Sequence, residues 1–172
     1  MTKSNTAKRV AMYGIFGSLA IIMAYLERLI PMPVPIPFVK IGLANIVVVM
    51  ALYAFGIRAA FAIAVLRIAI VALLFGNPFS FAYSLAGGLA SFIVMVAVQR
   101  TNVFGVVGVS VFGGVTHGVA QLAIGAILVR TVGLFYYSPV MIIAGVATGV
   151  LIGYASGFAL RNVKIIQKFG GV

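Results

Sequence analysis

Residues 41–75 read IGLANIVVVMALYAFGIRAAFAIAVLRIAIVALLF, a stretch whose only charges are Arg58 and Arg67. A helix that crosses a bilayer needs about 20 mostly apolar residues, because the hydrocarbon core is about 30 Å thick and each residue rises 1.5 Å. Gly56 divides the stretch into a short span over about 41–55 and a fuller one over about 57–75. Outward on both sides the same texture repeats. Further candidate spans cover about 10–30, 79–98, 106–129 and 135–160, punctuated by PMPVPIP at 31–37, Gly76-Asn77-Pro78 and Gln99-Arg100-Thr101-Asn102. The sequence therefore predicts an all-α, polytopic membrane protein, a bundle of six transmembrane helices forming a single transmembrane domain over 1–172.

Composition points the same way. Of 172 residues, 64% are hydrophobic and 8% charged, whereas soluble domains carry about 25% charged residues to satisfy water over their surface. The net charge of +11 invites a nucleic-acid reading, but Lys3, Lys8 and Arg9 lie at the N-terminus, Arg161, Lys164 and Lys168 at the C-terminus, and Arg58, Arg100 and Arg130 singly between apolar runs, the pattern of helix ends meeting lipid headgroups and not of a basic face. The expected partners are lipids and a small molecule, not nucleic acid. With the N-terminus inside, Lys3, Lys8, Arg9, Arg58, Arg100, Arg161, Lys164 and Lys168 fall on the cytoplasmic side, and Arg28, Lys40 and Arg130 outside. That bias predicts a cell membrane protein of a bacterium or archaeon with both termini cytoplasmic. The first apolar run is too long for a signal-peptide core and reads as a retained span. Cysteine is absent, which excludes thiol chemistry.

Two local patterns stand out. Pro31, Pro33, Pro35 and Pro37 alternate between spans 1 and 2; proline fixes φ and disfavours helix in the residue before it, so this linker is an extended strap over the outer mouth. Small residues recur at helical spacing, and in lipid they let backbones approach closely. Ala7, Ala11, Gly14 and Ser18 share one face of span 1, and Gly145, Gly149, Gly153 and Gly157 form a four-residue ladder on span 6.

The decisive negative is acidity, since Glu27 is the only Asp or Glu in the chain. Holding Mg²⁺ for diphosphate chemistry takes several carboxylates, paired-carboxylate acid–base catalysis takes two, and a P-loop takes a GxxxxGK[ST] that does not occur. No catalytic residue, metal or cofactor is expected. What remains is a set of polar residues at membrane depth. Arg67, near the middle of span 3, must face protein or water; it reads as a receptor for a carboxylate or phosphate, or as the partner of Glu27 or of backbone carbonyls. His117 and Gln121 share a face of span 5 and read as pocket lining or interhelical glue. Asn45 lies one turn into span 2, Glu27 at the outer end of span 1 and Lys40 at the end of the strap. Tyr83, Tyr136 and Tyr137 could stack on a ligand ring or form an interfacial belt.

The segments VKIGLANIVVVMALYAFG (39–56), SLAGGLASFIVM (84–95) and GGVTHGVAQL (113–122) resemble the Gx transporter family, also labelled heptaprenyl diphosphate synthase component I and similar to substrate-binding S-components of energy-coupling factor (ECF) transporters. The resemblance implies six helices, an outward pocket covered by the linker between helices 1 and 2, and small residues on helix 1 that dock a transmembrane coupling subunit working with a cytoplasmic ATPase pair. On it, Ala7 and Ala11 are the docking pair, and the strap with Pro31, Pro33, Pro35 and Pro37 is the lid. The importer subunit is the leading expectation, with Arg67, His117, Gln121, Asn45, Glu27, Lys40 and Tyr83 as its substrate-binding residues. A non-catalytic membrane subunit of isoprenoid or quinone assembly and a self-contained small transporter remain alternatives.

Overall fold

A computed structural model of the chain describes residues 3–29, 42–75 and 78–169. Six α-helices account for nearly all of them: α1 Lys3–Leu29, α2 Leu43–Ala54, α3 Ile57–Phe75, α4 Pro78–Arg100, α5 Val106–Val129 and α6 Ser138–Phe169. A 3-10 helix, Val132–Tyr137, leads into α6, and no strand occurs among the described residues. The chain is therefore all-α, as its hydropathy requires. Five of the helices are long and apolar enough to cross a membrane.

The first apolar span begins at Val10, as the sequence predicts, and the helix that carries it reaches back to Lys3. Span 6, expected from about 135, starts as an α-helix only at Ser138. Pro139 in its first turn suits a helix start, where a missing N–H loses no intrahelical bond.

The helices close into a ring in the order α1, α2, α6, α5, α4, α3 and back to α1, with α2 also touching α3. The most extensive seams are α5 with α6 and α4 with α5. At 12 residues, α2 is only about 18 Å long, the short span that the sequence predicts. Most of it is enclosed by the other helices: Val47, Val48, Val49, Ala51 and Leu52 are all buried. A helix that is apolar all round belongs in a core, and around α2 gather Ala20, Ala60, Ile63, Phe92, Val109 and Ile152 from all the other helices.

The outside of the ring is as apolar as the inside. Leu73 is 86% exposed and Phe158 72%, in company with Ile15, Ile93 and Tyr154. Such a shell is stable only where lipid, not water, is the surrounding solvent. This is a multi-pass membrane protein.

Close packing follows the glycines. A Cβ on Gly149 would stand 2.6 Å from Val111 Cα and 2.8 Å from Ser110 O, and one on Gly153 2.5 Å from Val107 Cα. Gly145 presses on Gly114 and Val115 in the same way, so α5 and α6 meet backbone to backbone. Gly157, the fourth member of the ladder, has nothing within 4 Å of its Cβ position; α5 has ended before the ladder does.

Candidate functional site

The C-terminal end of α1 and the beginning of α2 are joined by the chain's single acid. Gly42 precedes α2 with φ +79° and brings no side chain to cap it. Its backbone N–H donates instead to Glu27 Oε1. A carboxylate at a helix N-terminus meets unpaired amides and the positive end of the macrodipole, so Glu27 does from a neighbouring helix what an Asp or Ser at the cap does locally. The positive φ is why glycine stands at this position.

Three residues further on, the Asn45 N–H donates to Gly42 O at 2.8 Å, closing the first turn. The Asn45 side chain turns to α3, where its Oδ1 accepts from Arg67 Nη2 at 3.2 Å. Arg67 is half-buried, and its Nε is buried with no hydrogen-bond partner. Of the partners open to Arg67 on sequence grounds, the hydrogen bond goes to none: the side chain of Asn45 takes it. A guanidinium offers five donors, and with Nε unpaired this one keeps capacity for an anion.

A second polar group stands on α5. Gln121 is 1% exposed, and both its Nε2 and its Oε1 lack hydrogen-bond partners. Its stem lies against Gly87 of α4, where an added Cβ would approach Gln121 Cγ to 2.6 Å and His117 Cε1 to 3.3 Å. His117 is half-buried one turn away on the same face, as the spacing predicts. Gly88, the next residue of α4, faces the other way: its Cβ would meet Ile68 Cδ1 at 2.6 Å. Successive glycines thus let α4 approach α5 on one flank and α3 on the other. Gln121 and the Arg67–Ile68 step consequently stand at about the same height. Tyr83, four residues before Gly87, shares its face and is half-buried.

The remaining residues separate from these two groups. Lys40 and the lid prolines Pro31, Pro33, Pro35 and Pro37 lie outside the described residues, as does the side chain of Ala7. Tyr136 and Tyr137 are exposed in the 3-10 helix, where they suit a belt at the membrane interface. Ala11, Gly14 and Ser18, with Ile15, Leu19 and Ile22, line a shallow open groove on the outward face of α1, and no atom lies within 4 Å of where a Gly14 Cβ would be. The opposite face of α1 carries the intrachain contacts, with Ala20 fully buried.

Sequence reasoning missed Gly42, Ser110 and Ser156. Gly42 and Gly87 shape the two groups; Gly42 had a usable signal, since a glycine just after an extended strap marks a helix start. Ser110 is buried with its Oγ unpartnered, and Ser156, fully buried, donates to Ile46 O at 3.3 Å and ties α6 to α2. Nothing in their flanking sequence separates these two from other serines of the chain.

Among protein families, the one described as heptaprenyl diphosphate synthase component I matches residues 16–159. No curated protein matches, nor does any solved structure.

Proposed function

This chain belongs to the heptaprenyl diphosphate synthase component I family, and from that membership, its fold and its polar interior we propose that it is a substrate-capture membrane subunit of an ECF-type importer. One observation carries the reading: a guanidinium inside an apolar bundle, held by Asn45 on one arm and unpartnered at Nε. An arginine kept in hydrocarbon at a cost of about 2.5–3.5 kcal/mol on insertion scales needs an internal reason, and an anionic nutrient supplies it. Both termini are cytoplasmic on this reading, and the strap at 31–40 closes the outer mouth.

The chain does no chemistry of its own. Its single carboxylate is taken up by the α2 N-terminus, which leaves no acid to hold a metal or move a proton. Energy comes from partners: a coupling subunit seated on the Ala11–Gly14–Ser18 groove and a cytoplasmic ATPase pair. The description of the family supports a second reading, a non-catalytic membrane subunit that accompanies a prenyl diphosphate synthase.

Native mass spectrometry of the gently purified protein tests the first reading. Wild type is expected to retain a small anionic molecule, and Arg67→Ala to lose it while remaining monodisperse and inserted. Undiminished retention in that variant would remove Arg67 from the site. The co-purifying proteins decide between the readings: a coupling subunit with two ATPases supports the importer, a prenyl synthase the accompanying subunit.

A further inference from the structure

Among the described residues, the buried polar atoms without partners are few, and they are not scattered. They include Arg67 Nε, Gln121 Nε2 and Oε1, and Ser110 Oγ. Ser110 is 3% exposed and Gln121 1%. Positions 110, 117 and 121 fall within a narrow arc of one α5 face at 3.6 residues per turn. Gly113, on one side of that arc, packs on Met95 and Ser91 of α4; Gly114, on the other, packs on Gly145 of α6. The arc between them therefore looks inward, into the bundle.

Gln121 is the extreme case. A carboxamide has two donors and an acceptor, and in a membrane interior no solvent replaces partners the protein does not provide. An amide buried this far is satisfied or it is waiting. Leucine, of similar bulk, would fill the position without that penalty. The stem lies against Gly87 of α4, where an added Cβ would stand 2.6 Å from Gln121 Cγ. The open amide is the far end of an anchored side chain.

We infer that the Gln121 carboxamide is a receptor for the amide edge of the substrate, so that the molecule captured is a small anion carrying a carboxamide, lactam or imide. Such an edge returns one donor to Oε1 and one acceptor to Nε2 in a planar pair, while the carboxylate or phosphate of the same molecule reaches the Arg67 guanidinium across the flank of α4. The inference rests on the importer reading and adds the substrate class to it. Gly87 acts as a positioning residue, holding the amide in place. A site built around a hydrogen-bonding pair discriminates steeply against an analogue lacking it, since the protein's own buried group is then left unpaired.

The test uses the full chain in detergent and two ring-matched pairs of probes. 5-Oxoproline and orotate each carry a carboxylate and an amide edge; cyclopentanecarboxylate and benzoate carry the carboxylate alone. In equilibrium binding and thermal-shift measurements, wild type is expected to bind the first two at least about a hundredfold more tightly than their partners. Gln121→Met should erase that preference and also raise the melting temperature of the ligand-free protein by about 3 °C, because an unsatisfied amide has gone. A structural role for Gln121 predicts the opposite sign, a lower melting temperature. Equal binding of all four probes by wild type, with loss in Arg67→Ala, would leave the importer standing and sink the amide receptor, as would a preference that survives Gln121→Met. Binding of none of the probes by wild type overturns the inference too, and equal binding by wild type and Arg67→Ala overturns the importer site beneath it.

Discussion

Two faces of this molecule are built from the same residues and put to opposite use. On α6, Gly145, Gly149 and Gly153 press against the backbone of α5, closely enough that a methyl group at any of them would collide with main-chain atoms. On α1, Ala11, Gly14 and Ser18 repeat at comparable spacing and lie exposed along an open groove, with no atom within 4 Å of a Gly14 Cβ. Small residues in lipid lower the barrier to backbone approach; they do not choose the partner. The difference lies in what the rest of the fold delivers to each face. The ring order brings α5 to α6, whereas α1 turns its other side, with Ala20, to the bundle.

The comparison breaks most visibly at Gly149. An alanine Cβ there would intrude on Val111 and Ser110 from 2.6 and 2.8 Å, and main chain cannot step aside as a side-chain end can. Gly149→Ala is expected to cost about 1–3 kcal/mol of stability, and Gly149→Leu to leave no folded protein in detergent, read by size exclusion and thermal unfolding. If Gly149→Leu folds as wild type does, the seam is not what holds the two helices.

A smaller effect is expected where α1 is fastened by other means. Its inner part is pinned by Tyr13 and Phe16, edge-on to Phe55 with ring centroids 5.5 and 4.8 Å away. Its C-terminal end is pinned by the Glu27 carboxylate on Gly42. Glu27→Ala removes the cap of α2 and should cost about 1 kcal/mol. Glu27→Gln keeps an acceptor but loses the charge and should cost about half as much. Hydrogen exchange at the first amides of α2 would report the loosening directly. Unchanged protection there in Glu27→Ala would show that α2 is held by its packing alone.

Smaller still, on stability, is Gly14→Leu. With no atom within 4 Å of its Cβ position, the substitution should move the unfolding free energy by no more than about 0.5 kcal/mol, while filling the groove and, on the proposed importer function, abolishing co-purification of a coupling subunit from membranes. A drop in stability comparable to that of Gly149→Ala would mean that the α1 face is already occupied by this chain.

How far all this was legible can be traced through particular residues. The spans were, because about 20 apolar residues between polar punctuation leave little freedom; even the shortness of span 2 was visible. The degree of its burial was not: nothing in LANIVVVMALYA says that α1, α3 and α6 will enclose most of it. His117 and Gln121 share a face by arithmetic, and Arg67 had to face inward, but the pairing of Arg67 with Asn45 is a contact between helices, which spacing along one helix cannot give. Glu27 on Gly42 is hidden for the same reason, since its two ends are separated by the strap. The 3-10 helix at Val132–Tyr137 escaped because VGLFYY is as apolar as the helix that follows it.

Gly157 puts the comparison to its finest test, because sequence and structure assign it to different sides. By spacing it is the fourth rung of the α6 ladder and should behave as Gly149 does. By contact it belongs with Gly14, since α5 begins at Val106 and offers nothing opposite it. Alanine favours the helical backbone over glycine by up to about 1 kcal/mol, and with no collision to offset that gain, Gly157→Ala should leave the protein unchanged or slightly more stable. The sign of the change in melting temperature is what matters. A fall would mean that the ladder continues against some surface this chain does not supply, whereas a small rise means that the ladder ends where α5 does and that contact, not periodicity, decides what a glycine is for.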